Sequence, residues 1–344
     1  MAFVNAGNFD AGVITRPGSG NAGAFTMDAA GIASGGAFLI SELEKRDTQI
    51  RQPLDSFTYP RDIVIEVGGG WVDFVSAQGV SYGVTGGSGE SPIQAGGSNG
   101  LPIVQASVDK GTFKAHTFGA ALRVMWVDMQ KANFVGRSLD QLLTEGMRKT
   151  YDKHMDQNVY TGFSNFGTTG LINDANITVT QAAATGTGSS RTWASKTPEQ
   201  ILADINDAMT TAWAAAEYDE SAIPNHIILP YAQYTYIATT KVTALADKTI
   251  LKYIQENNIL TLTKGKELFI GGCKWLAGAG ASSDNRMVVY NNDRRFVKVD
   301  ELVPLTRALT QPNATSFCYD TAYGANLSEV QIFYPQTFLY VDGI

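Results

Sequence analysis

The chain has 344 residues, of which 44% are hydrophobic, 10% aromatic and 17% charged, and its formal net charge is -7. It is too apolar for a disordered chain, and it is long enough to bury about three quarters of its surface in one large domain or two. Because 33 acidic residues outnumber 26 basic ones, the composition argues against tight charge-driven binding to a nucleic-acid backbone.

The residue types that usually hold metals are few and scattered. The two cysteines, Cys273 and Cys318, allow no disulfide framework and match no zinc pattern, and the three histidines lie far apart in the sequence. We therefore expect no metal and no cofactor. The first residues lack a secretory signal, and no apolar run is long enough to span a membrane, so we expect cytoplasmic synthesis and no membrane partner.

The first predicted elements are a long arm and a short helix. Residues 1–36 are rich in Gly, Ala, Asn and Ser without a sustained apolar period, so we expect this arm to be ordered only on neighbouring chains. Apolar residues at helical spacing predict an amphipathic helix over residues 39–50, which Pro53 ends. An arm that needs a neighbour is a first indication of an assembly.

A glycine-rich excursion follows the helix. Eleven of the 35 glycines lie between Gly68 and Gly100, and β-branched and aromatic residues over 63–67 and 71–75 flank a triple glycine. We predict a long two-stranded excursion that runs to about Pro102 and has a flexible tip.

The middle of the chain contains the signals of two long helices. Ser138 and Gln141 form a capping box, and apolar residues at a spacing of 3.6 continue to Gly162, which predicts a helix of about 35 Å. Thr197 as N-cap and Pro198 at the first helical position open a second long helix. Between the excursion and the first long helix, we predict strands at residues 104–108, 112–118 and 120–127, with a turn at residues 109–111. Between the two long helices, we predict a low-complexity loop at residues 179–197.

The C-terminal half has strands in groups and helices in groups. Short helices are predicted at residues 230–239 and 249–257. Strands are predicted at residues 226–229, 267–270, 274–277, 286–290, 296–299, 330–334 and 338–341. This mixed order favours an α+β fold over a doubly wound α/β sheet.

Motifs that would indicate an enzyme are weak. Ser98 satisfies the pattern G-x-S-x-G, but that motif needs a strand before the serine and a helix after it, and glycine-rich loop flanks it here. A serine hydrolase that uses Ser98 is a distant alternative. Gly265 and Lys266 lack the spacing and the following Ser or Thr of a phosphate-binding loop.

Other candidate catalytic side chains have simpler interpretations. The pairs Asp152 with Asp156 and Asp204 with Asp207 fall on predicted helices, and we expect solvated helix faces rather than acid/base pairs. His154 is expected to be a packing or interface histidine, and the two cysteines to be small core residues. On residues alone, the chain is a structural or binding protein with no catalytic site.

Three local patterns resemble one known family. Residues 160–173, which end in Gly-Leu-Ile-Asn, are similar to the family's segment after its long helix. Residues 332–338, with Pro335 and Phe338, are similar to its ending, and residues 286–303 are placed like the paired strands before it. Together with the order of elements, these patterns resemble the major capsid proteins of tailed bacteriophages, the Hong Kong 97-type fold.

The resemblance implies a domain layout. Residues 1–62 would be the N-terminal arm, and residues 63–102 an extended loop that reaches over the neighbouring subunit. A peripheral domain with the long helix as its spine would contain residues 103–170 and 291–325, and an axial domain residues 171–290 and 326–344.

Two departures from the family matter. Some relatives cross-link their subunits through a lysine in the extended loop, and here no lysine lies between Lys45 and Lys110, so we expect no such cross-link. Some carry a long scaffolding domain before the loop, for which this sequence has no room. We therefore expect a separate scaffolding protein.

The resemblance implies a non-enzymatic subunit of an icosahedral phage head. It would self-assemble in the host cytoplasm into hexamers and pentamers of the virion, contact packaged double-stranded DNA weakly and non-specifically, and meet scaffolding, portal and decoration proteins. An encapsulin-type nanocompartment shell, which encloses a cargo enzyme, is the alternative. We expect subunit interfaces at Phe38, Leu39, Arg61, Trp71, Asp73, Phe74, Glu145, Arg148, Lys149 and Asp152.

Overall fold

The computed structural model describes residues 54–85, 103–134, 139–243 and 247–344. The chain divides into a unit of residues 1–56, of which only residues 54–56 are described, and a unit of residues 57–344. The predicted arm, the helix over residues 39–50, Ser98 and the capping residue Ser138 all lie outside the described residues.

The helices and strands of the larger unit alternate in groups. The helices are α1 (Tyr59–Asp62), α2 (Trp126–Phe134), α3 (Leu139–Tyr160), α4 (Pro198–Ala215), α5 (Tyr231–Thr239), α6 (Ile250–Asn257) and α7 (Ile259–Lys264). The strands are β1 (Ile65–Val67), β2 (Phe74–Thr85), β3 (Ile103–Met125), β4 (Thr178–Gln181), β5 (His226–Pro230), β6 (Phe269–Cys273), β7 (Arg286–Tyr290), β8 (Val297–Asn313), β9 (Cys318–Ser328), β10 (Gln331–Ile332) and β11 (Leu339–Asp342).

Among the described residues, these strands form two sheets. The first has the order β1-β8-β9-β3-β2, with β10 paired to β8, and helix α3 packs against β3 and β8. Phe118 of β3 packs against this helix, and its ring lies 5.5 Å from that of Tyr151. Met155 and Val159 on the same side of α3 are buried in the core.

The second sheet has the order β4-β11-β7-β5-β6. Helix α4 covers it and begins at the predicted capping box, in which Thr197 accepts a hydrogen bond from the backbone N–H of Gln200 while the Gln200 side chain accepts one from Thr197. A separate core forms under α4 from Ile201, Ile205 and Met209. The capped N-terminus therefore positions an apolar stripe over the sheet, as the sequence predicts.

A two-stranded ribbon extends from the first sheet. Strand β2 pairs along its whole length with residues 103–114 of β3, from Phe74 opposite Lys114 to Thr85 opposite Ile103. We call these paired segments the ribbon. Residues 115–125 of the same strand pair instead with β9, so β3 belongs to both the ribbon and the sheet.

The ribbon corrects the predicted excursion in two respects. The predicted turn at residues 109–111 is wrong, because Asp109 and Gly111 pair with β2 and the strand runs straight through them. Residues 63–67 are not a ribbon strand, since Ile65 pairs in parallel with Val299 of β8. The paired ladder also includes Lys110 and Lys114, which lie beyond the lysine-free stretch of the sequence, and the expected absence of a lysine cross-link stays a prediction.

The α+β class and the long helices are confirmed, and several smaller predictions are wrong. The strand predicted at 274–277 is a 3-10 turn, Lys274–Leu276, and the predicted loop at 179–197 begins with strand β4. The strand predicted to reach residue 127 ends at Met125, where helix α2 begins. Strand β9 and the outer half of β8 are missing from the predictions. The outer half of β8 is largely exposed on both faces, and β9 mixes polar, small and apolar residues although residues 325–328 are buried. The division into peripheral and axial domains stays a prediction.

Candidate assembly surfaces

A buried carboxylate anchors the segment that leads into the ribbon. Asp62, at the end of α1, accepts hydrogen bonds from Arg61 Nε at 2.6 Å, from His226 Nε2 at 3.1 Å and from the Tyr160 hydroxyl. Tyr290 donates its hydroxyl to the Asp62 carbonyl. Tyr160 lies on α3, and His226 and Tyr290 lie on β5 and β7, so α1 is tied to the long helix and to the second sheet.

The charge states in this cluster follow from burial and hydrogen bonding. Burial raises the pKa of Asp62, but the hydrogen bonds from His226, Arg61 and Tyr160 outweigh it and hold the pKa below its usual 3.8. Burial lowers the pKa of His226 below its usual 6.5, against the pull of the Asp62 carboxylate. At neutral pH the anchor therefore contains a carboxylate, a guanidinium and an uncharged imidazole.

We expect the free energy of unfolding of the unassembled subunit to fall as the pH drops below about 6.5. The neutral His226 favours the folded state, and this contribution is complete above the unfolded pKa of 6.5 and declines as the pH falls toward the lower folded value. The contribution of Asp62 has the same sign but is lost only below about 3.8. Urea denaturation between about pH 8 and 5 measures the slope.

The matched control is His226→Gln, which keeps a donor for Asp62 and does not titrate. It should flatten the pH dependence over that range relative to the wild type. Equal slopes in the two proteins would contradict the assignment.

Two of the aspartates predicted to be solvated are buried. Asp156 on α3 accepts from the Thr58 backbone N–H at 3.1 Å and from Trp275 Nε1 at 2.8 Å, and Lys274 Nζ lies 3.0 Å away. The expectation for Asp156 is therefore wrong, because residues distant in sequence supply its donors. Its neighbour Asp152 is only half-buried and accepts from the Tyr59 hydroxyl at 3.3 Å.

Asp204 on α4 is the second buried aspartate. Lys196 Nζ lies 2.5 Å from its Oδ2, and Trp193 Nε1 donates to the same oxygen at 3.1 Å. Both charged side chains are almost completely removed from solvent. Asp207, one turn away, is exposed, so these carboxylates do not form an acid/base pair.

The ribbon presents one apolar face and one face of small residues. Paired residues of an antiparallel ladder share a face, so Val80 with Val108 and Tyr82 with Ala106 point the same way. Val80, Tyr82, Val104 and Val108 are 53%, 77%, 67% and 64% exposed. Val104 and Val108 fall in the strand predicted at residues 104–108, whereas the period-2 pattern of Val80 and Tyr82 lies in the glycine-rich stretch, where no separate strand is predicted.

The opposite face of the ribbon carries much less side-chain surface. It contains Ala77, Gly79 and Ser81 of β2 opposite Gly111, Asp109 and Ser107 of β3. Over residues 77–82 and 106–111 the apolar surface is therefore concentrated on one side of the ribbon, whereas farther out the opposite face carries Ile103, which is 61% exposed. Exposed apolar patches of this kind mark interaction sites.

The predicted interface residues fall in separate places. Trp71, Asp73 and Phe74 come together at the base of the ribbon, where Trp71 and Phe74 are 60% and 63% exposed and Trp71 lies against Gly324 of β9. Phe74 shares the ribbon's apolar face. Phe38 and Leu39 lie outside the described residues.

Arg61 is elsewhere, near the β6 edge of the second sheet. Its guanidinium donates to the Gly272 carbonyl at 2.9 Å and lies over the Phe269 ring at 5.3 Å, in addition to its pair with Asp62. On α3, Glu145 and Arg148 are exposed and Lys149 and Asp152 are half-buried. The role of all these residues in subunit contacts stays a prediction.

The described residues show no arrangement suited to catalysis by a thiol or a metal. No group of His, Cys, Asp and Glu in the described ranges is placed to hold a metal ion. Cys273 and Cys318 are buried, as expected for core residues, and burial raises the pKa of Cys273 to about 12. None of the helices in the described part of the chain is both long and apolar enough to cross a lipid bilayer.

The fold is that of phage-type capsid subunits. The capsid of Myoviridae phage XM1 is similar with a TM-score of 0.72 at 16% identity, over 88% of this chain and 98% of that one. A structure from Microbacterium phage Oxtober96 gives a TM-score of 0.58 at 12% identity, over 89% of this chain and 97% of that one. The capsid of the native GTA particle gives 0.58 at 10%, over 92% and 99%. At these identities the similarity establishes the fold.

The sequence itself establishes the family. The family model described as major capsid protein matches residues 89–344. The chain therefore belongs to the major capsid protein family, and the resemblance carried by the local patterns is confirmed. Members of this family build the multimeric shell of a virion. No curated protein matches this chain.

Proposed function

We propose that the chain is the non-enzymatic structural subunit of the icosahedral head of a tailed bacteriophage, arranged in hexamers and pentamers around double-stranded DNA. The observation that carries this proposal is the ribbon, whose apolar face is uncovered in the described chain. An isolated two-stranded ribbon is marginally stable in water. It becomes well ordered when that face is buried on another surface.

Another copy of the chain is the partner that fits best. A protruding ribbon and a receiving surface elsewhere on the same subunit make a head-to-tail contact, and such contacts form rings when the rotation between successive copies closes. Trp71 and Phe74 at the ribbon base extend the contact. The exposed charges of α3 contribute about 0 to 1 kcal/mol per ion pair, so apolar burial dominates assembly.

Packaged DNA and the scaffolding, portal and decoration proteins are the other partners that we propose. A subunit with a net charge of -7 repels the packaged genome overall, which supports weak, non-specific contact with DNA. We also propose assembly in the host cytoplasm with a separate scaffolding protein, and contacts with portal and decoration proteins in the finished head.

Charge placed on the apolar face of the ribbon is expected to prevent assembly. In V80D/V108D, burying the ribbon would strip two carboxylates of water without partners, at about 2 kcal/mol or more. The critical concentration for assembly should rise at least about thirty-fold. Sedimentation and electron microscopy of the full chain, alone and with its scaffolding protein, measure this, and closed particles are the expected wild-type result.

The control S81D/S107D adds the same charge at the adjacent residue pair, which faces the opposite side of the ribbon. It should assemble like the wild type. Equal behaviour of the two double variants would contradict the role of the apolar face. A wild type that forms only small soluble species in both conditions would overturn the proposed function.

A further inference from the structure

A small aromatic cavity lies beside α3 at the body end of the ribbon. It has a volume of about 270 Å³ and is lined by His116, Phe118, His154, Asn158, Phe163 and Phe166. We call it the α3 socket. Pockets for small-molecule ligands usually have ~300–1,000 Å³, so this cavity suits a single large side chain.

Two buried polar atoms at the α3 socket have no hydrogen-bond partner. Asn158, which lines the socket, donates its Nδ2 to the Ser328 carbonyl at 3.0 Å, and its buried Oδ1 has no hydrogen-bond partner. The buried Nε2 of His116 is also unpaired, and its ring is stacked on Phe166. A buried polar atom without a partner destabilises the structure, so an occupant that hydrogen-bonds to these atoms gains affinity.

The two unpaired atoms, Asn158 Oδ1 and His116 Nε2, define which chemical groups the occupant of the socket needs. Asn158 Oδ1 only accepts, so the occupant needs a hydrogen-bond donor. Burial lowers the pKa of His116, so its ring is neutral at neutral pH, and either a donor or an acceptor satisfies it. An aromatic ring that ends in a hydroxyl meets all these requirements, because the ring packs against the phenylalanines and the hydroxyl both donates and accepts.

Tyr82 is such a side chain, and it is 77% exposed on the apolar face of the ribbon. It lies eight residues along β2 from Phe74 at the ribbon base, or about 27 Å at ~3.4 Å per residue. The paired ladder cannot turn back without breaking its hydrogen bonds, so Tyr82 does not reach the α3 socket of its own chain. It reaches the socket of a neighbour displaced by about the length of the ribbon.

We propose that Tyr82 of one copy inserts into the α3 socket of the next copy, where its hydroxyl pairs with Asn158 and His116. This inference rests on the proposed function and names a specific contact within it. The contact is head-to-tail, because ribbon and socket are different surfaces of the same chain. Each copy therefore gives one tyrosine and receives one around a closed ring.

Cysteine cross-linking of assembled particles tests the contact. In Y82C/H154C, one cysteine replaces the tyrosine and the other stands at the exposed rim of the α3 socket. Mild oxidation should give a ladder of covalent multimers on a non-reducing gel, because a head-to-tail contact links each copy to two others. The native Cys273 and Cys318 are buried, so each single variant should stay monomeric on the gel.

The matched control S81C/H154C places the cysteine on the opposite face of the ribbon and should give no ladder. Particles of normal shape in which Y82C/H154C stays uncross-linked would overturn the inference and leave the proposed function standing. A ladder from F38C/H154C without one from Y82C/H154C would assign the socket to the N-terminal arm instead. Absence of particles in the wild type would instead count against the proposed function.

A second measurement separates the contribution of the Tyr82 ring to assembly from that of its hydroxyl. Y82A should raise the critical concentration for assembly by at least tenfold, and Y82F by about three- to tenfold, since it loses only the hydrogen bonds. Far-ultraviolet circular dichroism of the unassembled subunits should be unchanged. If Y82A assembles as readily as S81A, the contact is absent.

Discussion

Replacing Lys196 with methionine is expected to lower the free energy of unfolding by about 3–5 kcal/mol, which is a large part of the ~5–15 kcal/mol typical of a folded protein. The Lys196 ammonium lies 2.5 Å from Asp204, and both side chains are almost fully buried. Without it, the Asp204 carboxylate keeps only the indole N–H of Trp193 as partner. Urea denaturation of the unassembled full-length subunit measures the loss.

The pH dependence identifies the cause of this loss. Burial raises the pKa of Asp204 even with Lys196 beside it, and without the ammonium the folded state favours the protonated acid more strongly. A raised folded pKa gives stability that is complete below the unfolded pKa and is lost as the pH rises through the folded value. The deficit of K196M should therefore be smaller at about pH 5 than at about pH 8.

The double variant K196M/D204L is the control, because a buried ion pair replaced by apolar side chains of similar size is often close to neutral. It should recover most of the lost stability. A single variant that costs less than about 1 kcal/mol, or a double variant no more stable than the single one, would contradict this account.

Gly170→Ala is expected to destabilise the subunit by about 3 kcal/mol, at the upper end of what overpacking usually costs. A Cβ at this position would overlap the backbone of Tyr160 and Thr161 at the end of α3. These are main-chain atoms held by the returning chain, since Leu171 N donates to the Val159 carbonyl at 2.8 Å. Thermal and urea unfolding measure the change.

Gly146→Ala provides a control within helix α3. Gly146 lies in the middle of the helix, and an added Cβ meets open space there. Alanine at an exposed helical position is better than glycine by about 0.5–1 kcal/mol, so this variant should be more stable than the wild type. Opposite signs for the two substitutions are expected, and a neutral G170A would show that the α3 end can shift.

Close packing explains why a short sequence pattern was informative. In the Gly-Leu-Ile-Asn segment, Gly170 donates its N–H to the Asn173 side chain at 2.7 Å, and Asn173 Nδ2 donates to the Thr161 carbonyl at 2.8 Å. The glycine allows the close approach and the asparagine caps the exposed carbonyl. The close approach at Gly170 and the hydrogen bond from Asn173 both involve residues near in sequence, so they appear as a recognisable sequence pattern.

Helix boundaries were predictable for the same reason. The capping box at Thr197 and the cap at Thr249 depend on residues three positions apart, and the structure contains both. The strands depend on partners far away in the chain. Asp109-Lys110-Gly111 has good turn chemistry, yet pairing with β2 keeps it extended.

The buried aspartates show that the local sequence pattern does not predict which carboxylates are buried. The buried Asp62 carboxylate is stabilised by hydrogen bonds from Arg61, from Tyr160 and from His226, which lies 164 residues away in the sequence. Asp156 receives its partners from Thr58 and from the turn that contains Trp275. Helical spacing placed Asp156 correctly on α3, but only the approach of these distant segments buries it.

The amino-acid sequence by itself determined the α+β class, the capped helices, the absence of a cysteine framework and the resemblance to capsid subunits, because composition and contacts between near neighbours specify these properties. The tertiary structure decided which strands form the ribbon, which of its faces is apolar, which carboxylates are buried and where the α3 socket lies. These depend on pairings between residues distant in the chain, whose free energy is gained only when the whole fold brings them together.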